Sequence, residues 1–138
     1  MKSETFQYKE NVTIYKWQDR DNANGYTYLW EGKTPKGTRF IKIGSTKVHS
    51  KDACSRRAKR WAYESKVFVE SATLRLTIPN NNPRDLENYL RSCIYFLHYD
   101  EVEQISDDCF LILQRSSFIV DRLIRELNKY LGKVVSTY

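Results

Sequence analysis

Two short segments hold the residues whose types could do chemistry on a phosphate. The stretch FIKIGST, residues 40 to 46, sets Lys42 between two isoleucines and ends on Gly44 and two hydroxyls. A lysine beside a phosphate neutralises charge as a point cation, and when desolvated its pKa can fall far enough to make it a base. It can equally hold an anion with no chemistry. The stretch KDACSRRAKRWAYESK, 51 to 66, sets Lys51, Arg56, Arg57, Lys59, Arg60 and Lys66 against only Asp52 and Glu64. Guanidinium forks pair bidentately with phosphate oxygens. Further along, DEVEQISDD, 100 to 108, is strongly acidic. This uneven spread says more than the formal net charge of +6, and it leaves one face suited to an anionic partner.

The elements that must position these residues can be read from periodicity. VTIYKW, 12 to 17, alternates weakly as an edge strand, and turn-rich QDRDNANG follows it. YTYLWE, 26 to 31, reads as an aromatic strand, GKTPKG, 32 to 37, as a hairpin loop, and TRFIKIGS as the returning strand. After Ser50 the period changes: Cys54, Ala58, Trp61 and Ala62 share one helix face, with Arg57, Arg60 and Glu64 beside it. VFVESATLRLTI, 67 to 78, is a third strand interrupted near Ser71 and closed by PNNN. A second helix has Asn82 as N-cap, Pro83 in its first position, Asp85 at its positive end, and a stripe of Leu86, Leu90, Cys93 and Leu97 with Glu87 on the shoulder. CFLIL, 109 to 113, is a short strand. Ser116 or Ser117 caps a last helix whose stripe is Val120, Ile124, Leu127 and Leu131, ended by Gly132.

Composition bounds the rest. A chain of 138 residues, 41% apolar and 14% aromatic, builds one globular core, and no internal repeat divides it. No run approaches the roughly 18 apolar residues of a membrane span. MKSETFQYKEN lacks an apolar signal region, so an intracellular protein is expected. Cys54, Cys93 and Cys109 are odd in number and widely spaced, which argues for reduced core thiols over a disulfide or zinc framework. His49 reads as an exposed loop residue and His98 as a partner of a helix C-terminus.

With these residues in order, the chain resembles the GIY-YIG nuclease superfamily over roughly residues 25 to 113. GYTYLW stands where that signature's first half would be and FIKIGST where its second would be. An arginine-bearing helix and a later helix with a glutamate follow. The match is closest to a viral and phage-rich branch that reads KIG in place of YIG, which would make Lys42 the branch's own form of that position. Asp108, Cys109 and Phe110 echo the acidic-aromatic ending of that branch. The resemblance implies an α/β chain of the α+β kind, a small antiparallel sheet of three or more strands flanked by helices. Residues 1 to 24 would be an N-terminal extension and 25 to 138 a single domain.

Carried over by position, Tyr28 takes the tyrosine of the first motif, with Thr27 at its isoleucine and Tyr26 at its glycine. Gly44 takes the glycine of the second. Arg57 is the helix arginine, Trp61 falls where many members have histidine, and Glu87 is the metal-holding glutamate. The implied site is Tyr28, Lys42, Arg57 and Glu87. Tyr28 would orient or deprotonate water, Arg57 grip the phosphate, and Glu87 ligate Mg²⁺ or Mn²⁺. Lys47, Arg56, Lys59 and Arg60 would hold DNA. Two-strand cleavage with one site per chain would favour a homodimer. A viral origin, which the resemblance implies, would put the protein in the cytoplasm or nucleus of a host cell.

Each residue also has a plainer reading: Tyr28 as a cross-strand aromatic, Arg57 as a solvated helix residue, Glu87 as a surface acid. Tyr26 and Lys42 depart from the nuclease signature. A catalytically inactive DNA-binding module on the same scaffold is therefore the alternative, and a protein–protein adaptor using the acidic stretch ranks third.

Overall fold

The computed structural model describes residues 5–9, 11–47, 71–97, 100–106, 109–113, 118–130 and 136–137. The basic stretch with Arg56, Arg57, Lys59 and Arg60 lies outside them, as do Trp61, His49, His98, Asp108, Ser116, Ser117, Leu131 and Gly132. The described strands are β1 (Thr5–Lys9), β2 (Val12–Tyr15), β3 (Gly25–Lys33), β4 (Arg39–Thr46), β5 (Ser71–Asn80), β6 (Val102–Ser106), β7 (Cys109–Ile112) and β8 (Ser136–Thr137). The described helices are α1 (Pro83–Leu97) and α2 (Ile119–Tyr130), with a 3₁₀ segment over Trp17–Asn22. The fold is α+β. Its strands form one antiparallel sheet in the order β1-β2-β5-β3-β4-β7-β6, with β8 beside β5.

The hairpin of β3 and β4 is central, and its turn is tighter than composition predicts. Gly32 and Lys33 belong to the strand, paired with Phe40 and Arg39. Gly32 is required there because a Cβ would meet the Phe40 ring at 2.2 Å. The turn is Thr34-Pro35-Lys36-Gly37, with Pro35 in the position that favours its fixed φ and Gly37 at φ 83. The Gly37 amide donates to the Thr34 carbonyl at 2.9 Å.

Strand alternation gives the sheet two faces. On one, Leu29, Ile41, Ile43, Leu76, Ile78 and Phe110 join Leu86, Leu90 and Ile94 of α1 and Ile119, Val120, Leu123, Ile124 and Leu127 of α2 in a single apolar core. The α1 stripe thus runs through Ile94 instead of Cys93, because the i, i+4, i+8 row faces the sheet. Cys93 is half-buried at its side. The α2 stripe is wider than four residues, since Ile119 and Leu123 are also buried. On the other face a separate cluster contains Tyr26, Tyr28, Trp30 and Leu74.

Before residue 25, β1 and β2 are part of the sheet. Val12 and Ile14 are fully buried in the helix-side core, and Ile14 pairs with Asn80. The Tyr8 ring lies 4.5 Å from that of Tyr89 on α1, and Lys9 approaches Asp85 at 3.9 Å. The acidic stretch holds an edge strand, β6, paired with β7. The sheet has eight strands among the described residues, where a small sheet of three or more was expected.

Candidate functional site

The β3–β4 register decides which candidate residues meet. Tyr28 lies opposite Gly44 and Trp30 opposite Lys42, while on its other side Tyr28 lies opposite Thr77 of β5. Directly opposed residues project from the same face, so Tyr28, Trp30, Lys42, Gly44 and Thr77 form one patch opposite the helices.

Gly44 is explained by contact. A Cβ at this position would lie 2.5 Å from both Cζ and Oη of Tyr28. The phenol therefore lies across the Gly44 backbone, and the absent side chain is what admits it.

Lys42 is 5% exposed. A buried ammonium is costly unless its protons find acceptors, and Nζ donates to the Ile43 carbonyl at 2.8 Å. Trp30 is 8% and Thr77 2% exposed. Trp30 Nε1 and Thr77 Oγ1 are buried with no hydrogen-bond partner among the described residues. Neither was among the residues singled out by motif. The alternation Tyr26, Tyr28, Trp30 already places the indole on the face of Tyr28, but Thr77 enters only through the β3–β5 register.

Glu87 lies in the other layer. It sits in α1, which packs against β3 and β4 from the helix side, and its partner among the described residues is Arg91, at 3.9 Å. The structure brings Tyr28, Lys42 and Gly44 together and leaves Glu87 on an element that covers the opposite face. Arg57, Arg56, Lys59 and Arg60 fall outside the described residues.

The start of α1 is fixed by an asparagine cluster. Asn80 is fully buried; its Nδ2 donates to the Ile78 carbonyl at 2.8 Å and to Thr27 Oγ1 at 3.2 Å, and its Oδ1 accepts from the Asn82 amide at 2.9 Å. Thr27 Oγ1 donates to the Pro83 carbonyl at 2.7 Å. Asn81 Oδ1 accepts from the Thr13 amide at 2.6 Å. These bonds tie β2, β3, β5 and α1 together at one end of the sheet. Lys47, which is exposed, borders there an open recess of about 930 Å³ with Ser45, Thr46, Asn24, Asn81, Asn82, Pro83 and Arg84. Arg84 is a cation that motif reading passed over, although Asn82-Pro83 already set it in the first turn of α1.

No group of three or more His, Cys, Asp or Glu side chains gathers among the described residues in a way that could hold a metal. Glu87 is the carboxylate that motif reading assigns to a divalent ion. Mg²⁺ accepts one or two carboxylates and completes its shell with water and phosphate oxygens, but Glu87 lies across the sheet from Tyr28 and Lys42, so the described residues do not gather one metal site around them. No helix among the described residues is long and apolar enough to cross a membrane. Comparisons with family models, with curated proteins and with solved structures find no match to this chain.

Proposed function

We propose that this chain is a GIY-YIG-like, metal-dependent endonuclease that hydrolyses phosphodiester bonds in DNA. What supports the reading above all is the Tyr28–Gly44 pair: the tyrosine of GYTY lies across the glycine of KIGST, on one sheet face with the buried Lys42. A phenol and an ammonium on one face are the groups that would orient a water and neutralise developing charge at phosphorus. Arg57 would grip the phosphate, and Mg²⁺ or Mn²⁺ would supply Lewis-acid stabilisation when bound, with Glu87 the carboxylate that the resemblance assigns to it. Lys47, Arg56, Lys59 and Arg60 would hold the DNA backbone, and a homodimer would cut both strands.

The test is incubation with supercoiled plasmid in Mg²⁺, in Mn²⁺ and in chelator. Metal-dependent nicking that Glu87→Gln loses is the expected result. Nicking undiminished in that variant removes Glu87 from the site.

A second reading, the DNA-binding module without chemistry, draws on two contacts. Lys42 Nζ is engaged by its own strand's carbonyl, and Glu87 faces Arg91. Under this reading no metal yields cleavage, and DNA affinity falls steeply with salt as counterions are released.

A further inference from the structure

The open recess at the end of the sheet carries charge that the fold does not account for. Its described lining holds two cations, Lys47 and Arg84, among polar side chains, and no acid. Both cations are exposed, and neither has an acidic partner among the described residues. Arg39, Arg75, Arg91 and Arg122, by contrast, each meet a carboxylate. Arg84 also stands in the first turn of α1, where the helix dipole disfavours a cation. Folding gives it no reason to be charged.

Backbone packing brings the two cations to one opening. A Cβ on Gly25 would lie 2.8 Å from Lys47 Cα and 3.0 Å from Pro83 Cγ. The bare backbone at 25 therefore lets the end of β4 and the start of α1 close on the same point. Ser45 is half-buried opposite Thr27, whose hydroxyl reaches the Pro83 carbonyl, so Ser45 projects to the helix side with the recess. Asn24 Nδ2 donates to the Asn81 carbonyl at 2.9 Å, and the Asn82 amide donates to Asn80 Oδ1 at 2.9 Å. That second bond occupies an amide at the helix end, and Pro83 has none to offer. Side chains, not the helix end, decide what the recess takes.

Pro83 is the one apolar residue of the described lining, so an apolar ligand finds little to pack on. The volume of about 930 Å³ suits a ligand of nucleotide size. Arg84 offers a planar fork, Lys47 a point charge and Ser45 a hydroxyl. The two coplanar oxygens of a carboxylate are filled by the fork alone, whereas tetrahedral phosphate oxygens accept from all three directions. We infer that this recess is a phosphate-binding site in which Arg84, Lys47 and Ser45 hold the phosphate of a nucleic-acid strand or of a free nucleotide. The inference rests on the proposed function for Lys47 alone. It adds Arg84 and Ser45, on the face of the sheet opposite Tyr28 and Lys42.

The test uses a short labelled DNA duplex followed by fluorescence anisotropy across a salt series, with a nucleoside monophosphate, inorganic phosphate and a glutamate-rich peptide as competitors. The variants are Arg84→Gln, Lys47→Gln and Ser45→Ala. Lys36→Gln, which removes the same charge from the turn at the other end of the β3–β4 hairpin, is the control. Arg84→Gln should weaken binding about tenfold, the scale of one lost bond to a charged group. Arg84→Gln and Lys47→Gln should each lower the salt slope by about one, and Lys36→Gln should leave it unchanged. Ser45→Ala should weaken binding at an unchanged slope. Thermal unfolding of Arg84→Gln should be unchanged or slightly raised, since an exposed cation leaves the positive helix end. Displacement by the nucleotide at low concentration identifies a free nucleotide as the ligand; DNA that resists both phosphate competitors identifies the strand. Arg84→Gln indistinguishable from Lys36→Gln overturns the inference, as does a wild-type protein that binds none of the phosphate probes. Displacement of DNA by the acidic peptide as readily as by the nucleotide overturns it too. Plasmid nicking separates the two proposals. Binding that Arg84→Gln weakens, with no metal-dependent nicking by wild type, removes the nuclease reading and leaves the inference. Metal-dependent nicking with binding untouched by Arg84→Gln does the reverse.

Discussion

Replacing Gly44 with alanine tests whether the two motif halves are physically coupled. The added Cβ would sit 2.5 Å from Cζ and Oη of Tyr28 and 2.7 Å from Cε2. Carbon contacts are comfortable from about 3.5 Å, so the ring must retreat by roughly 1 Å. It is 2% exposed, in a cluster with Tyr26, Trp30 and Leu74, so it has little space to retreat into. Overpacking of this kind costs about 1–3 kcal/mol. Alanine restrains the unfolded chain and returns about 0.4–1 kcal/mol of that. The φ of Gly44 is not in the left-handed region, so backbone strain adds nothing. A net loss of about 1–2 kcal/mol follows, or roughly 3–10 °C in unfolding temperature for a chain of this size.

A double-mutant cycle isolates the cause. Tyr28→Leu removes the three atoms that crowd position 44 while keeping an apolar side chain. In that background Gly44→Ala should be neutral or stabilising by a few tenths of a kcal/mol, because only the unfolded-state effect remains. The coupling energy, measured by urea unfolding, should therefore be about 1–3 kcal/mol, with alanine favoured once the ring is gone. If Gly44→Ala costs the same in both backgrounds, the ring does not explain the glycine. The central support for the proposed site then disappears.

Two further changes probe the scaffold. Asn80→Ala removes three described hydrogen bonds at a fully buried position, and at about 1 kcal/mol each the loss should be about 2–4 kcal/mol. It should appear as a lower urea midpoint with unchanged slope; a loss below about 1 kcal/mol contradicts the asparagine cluster as a fastening of α1. Burial pushes the Cys93 thiol above its ordinary 9.0, the nearby Glu126 charge adds to this, and a hydrogen bond with Tyr89 opposes it. The folded chain thus holds that proton more tightly than the unfolded chain. This contribution is complete below the ordinary thiol pKa and is lost as pH rises through the folded value. Cys93→Ala should remove that part of the alkaline fall in stability, and an identical pH profile in both proteins refutes it.

Locally encoded features were legible in the sequence. Alternation in YTYLWE and TRFIKIGS was enough for β3 and β4, and the 3.6-residue period with Asn82-Pro83 was enough for α1. Features made by distant pairing were not. Val12 and Ile14 look like a weak edge, yet they are buried because β2 pairs β5 sixty-six residues away, at Ile14↔Asn80. DEVEQISDD reads as an acidic run, yet its VEQIS forms an edge strand, three of whose residues are exposed. Glu31 looks like a surface acid at a strand end. It is instead bridged by Arg39 and Arg75, and Arg75 reaches on to Asp121 of α2. The β3–β5 register shifts between Leu29 and Trp30, just before Glu31. The candidate site divides likewise: Tyr28, Lys42 and Gly44 were visible as motif, whereas Trp30 and Thr77 depend on pairing and on the absence of a partner.

The two faces of the sheet answer to different demands. The helix-side face is apolar throughout its core and joins both helices. The opposite face carries a buried lysine and two unpaired polar atoms. Unsatisfied buried groups cost about 1–3 kcal/mol each, so the orphans together weigh heavily against the 5–15 kcal/mol that stabilise a typical domain. Folding alone would favour valine at position 77. Rules of foldability tend to be broken where function requires it. Gly44 and Thr77 both flank Tyr28, from opposite strands, yet substitution should move stability in opposite directions. Gly44 is present to fit the tyrosine, so alanine should harm the fold. Thr77 is buried with an unpaired hydroxyl, so valine should spare the fold or stabilise it.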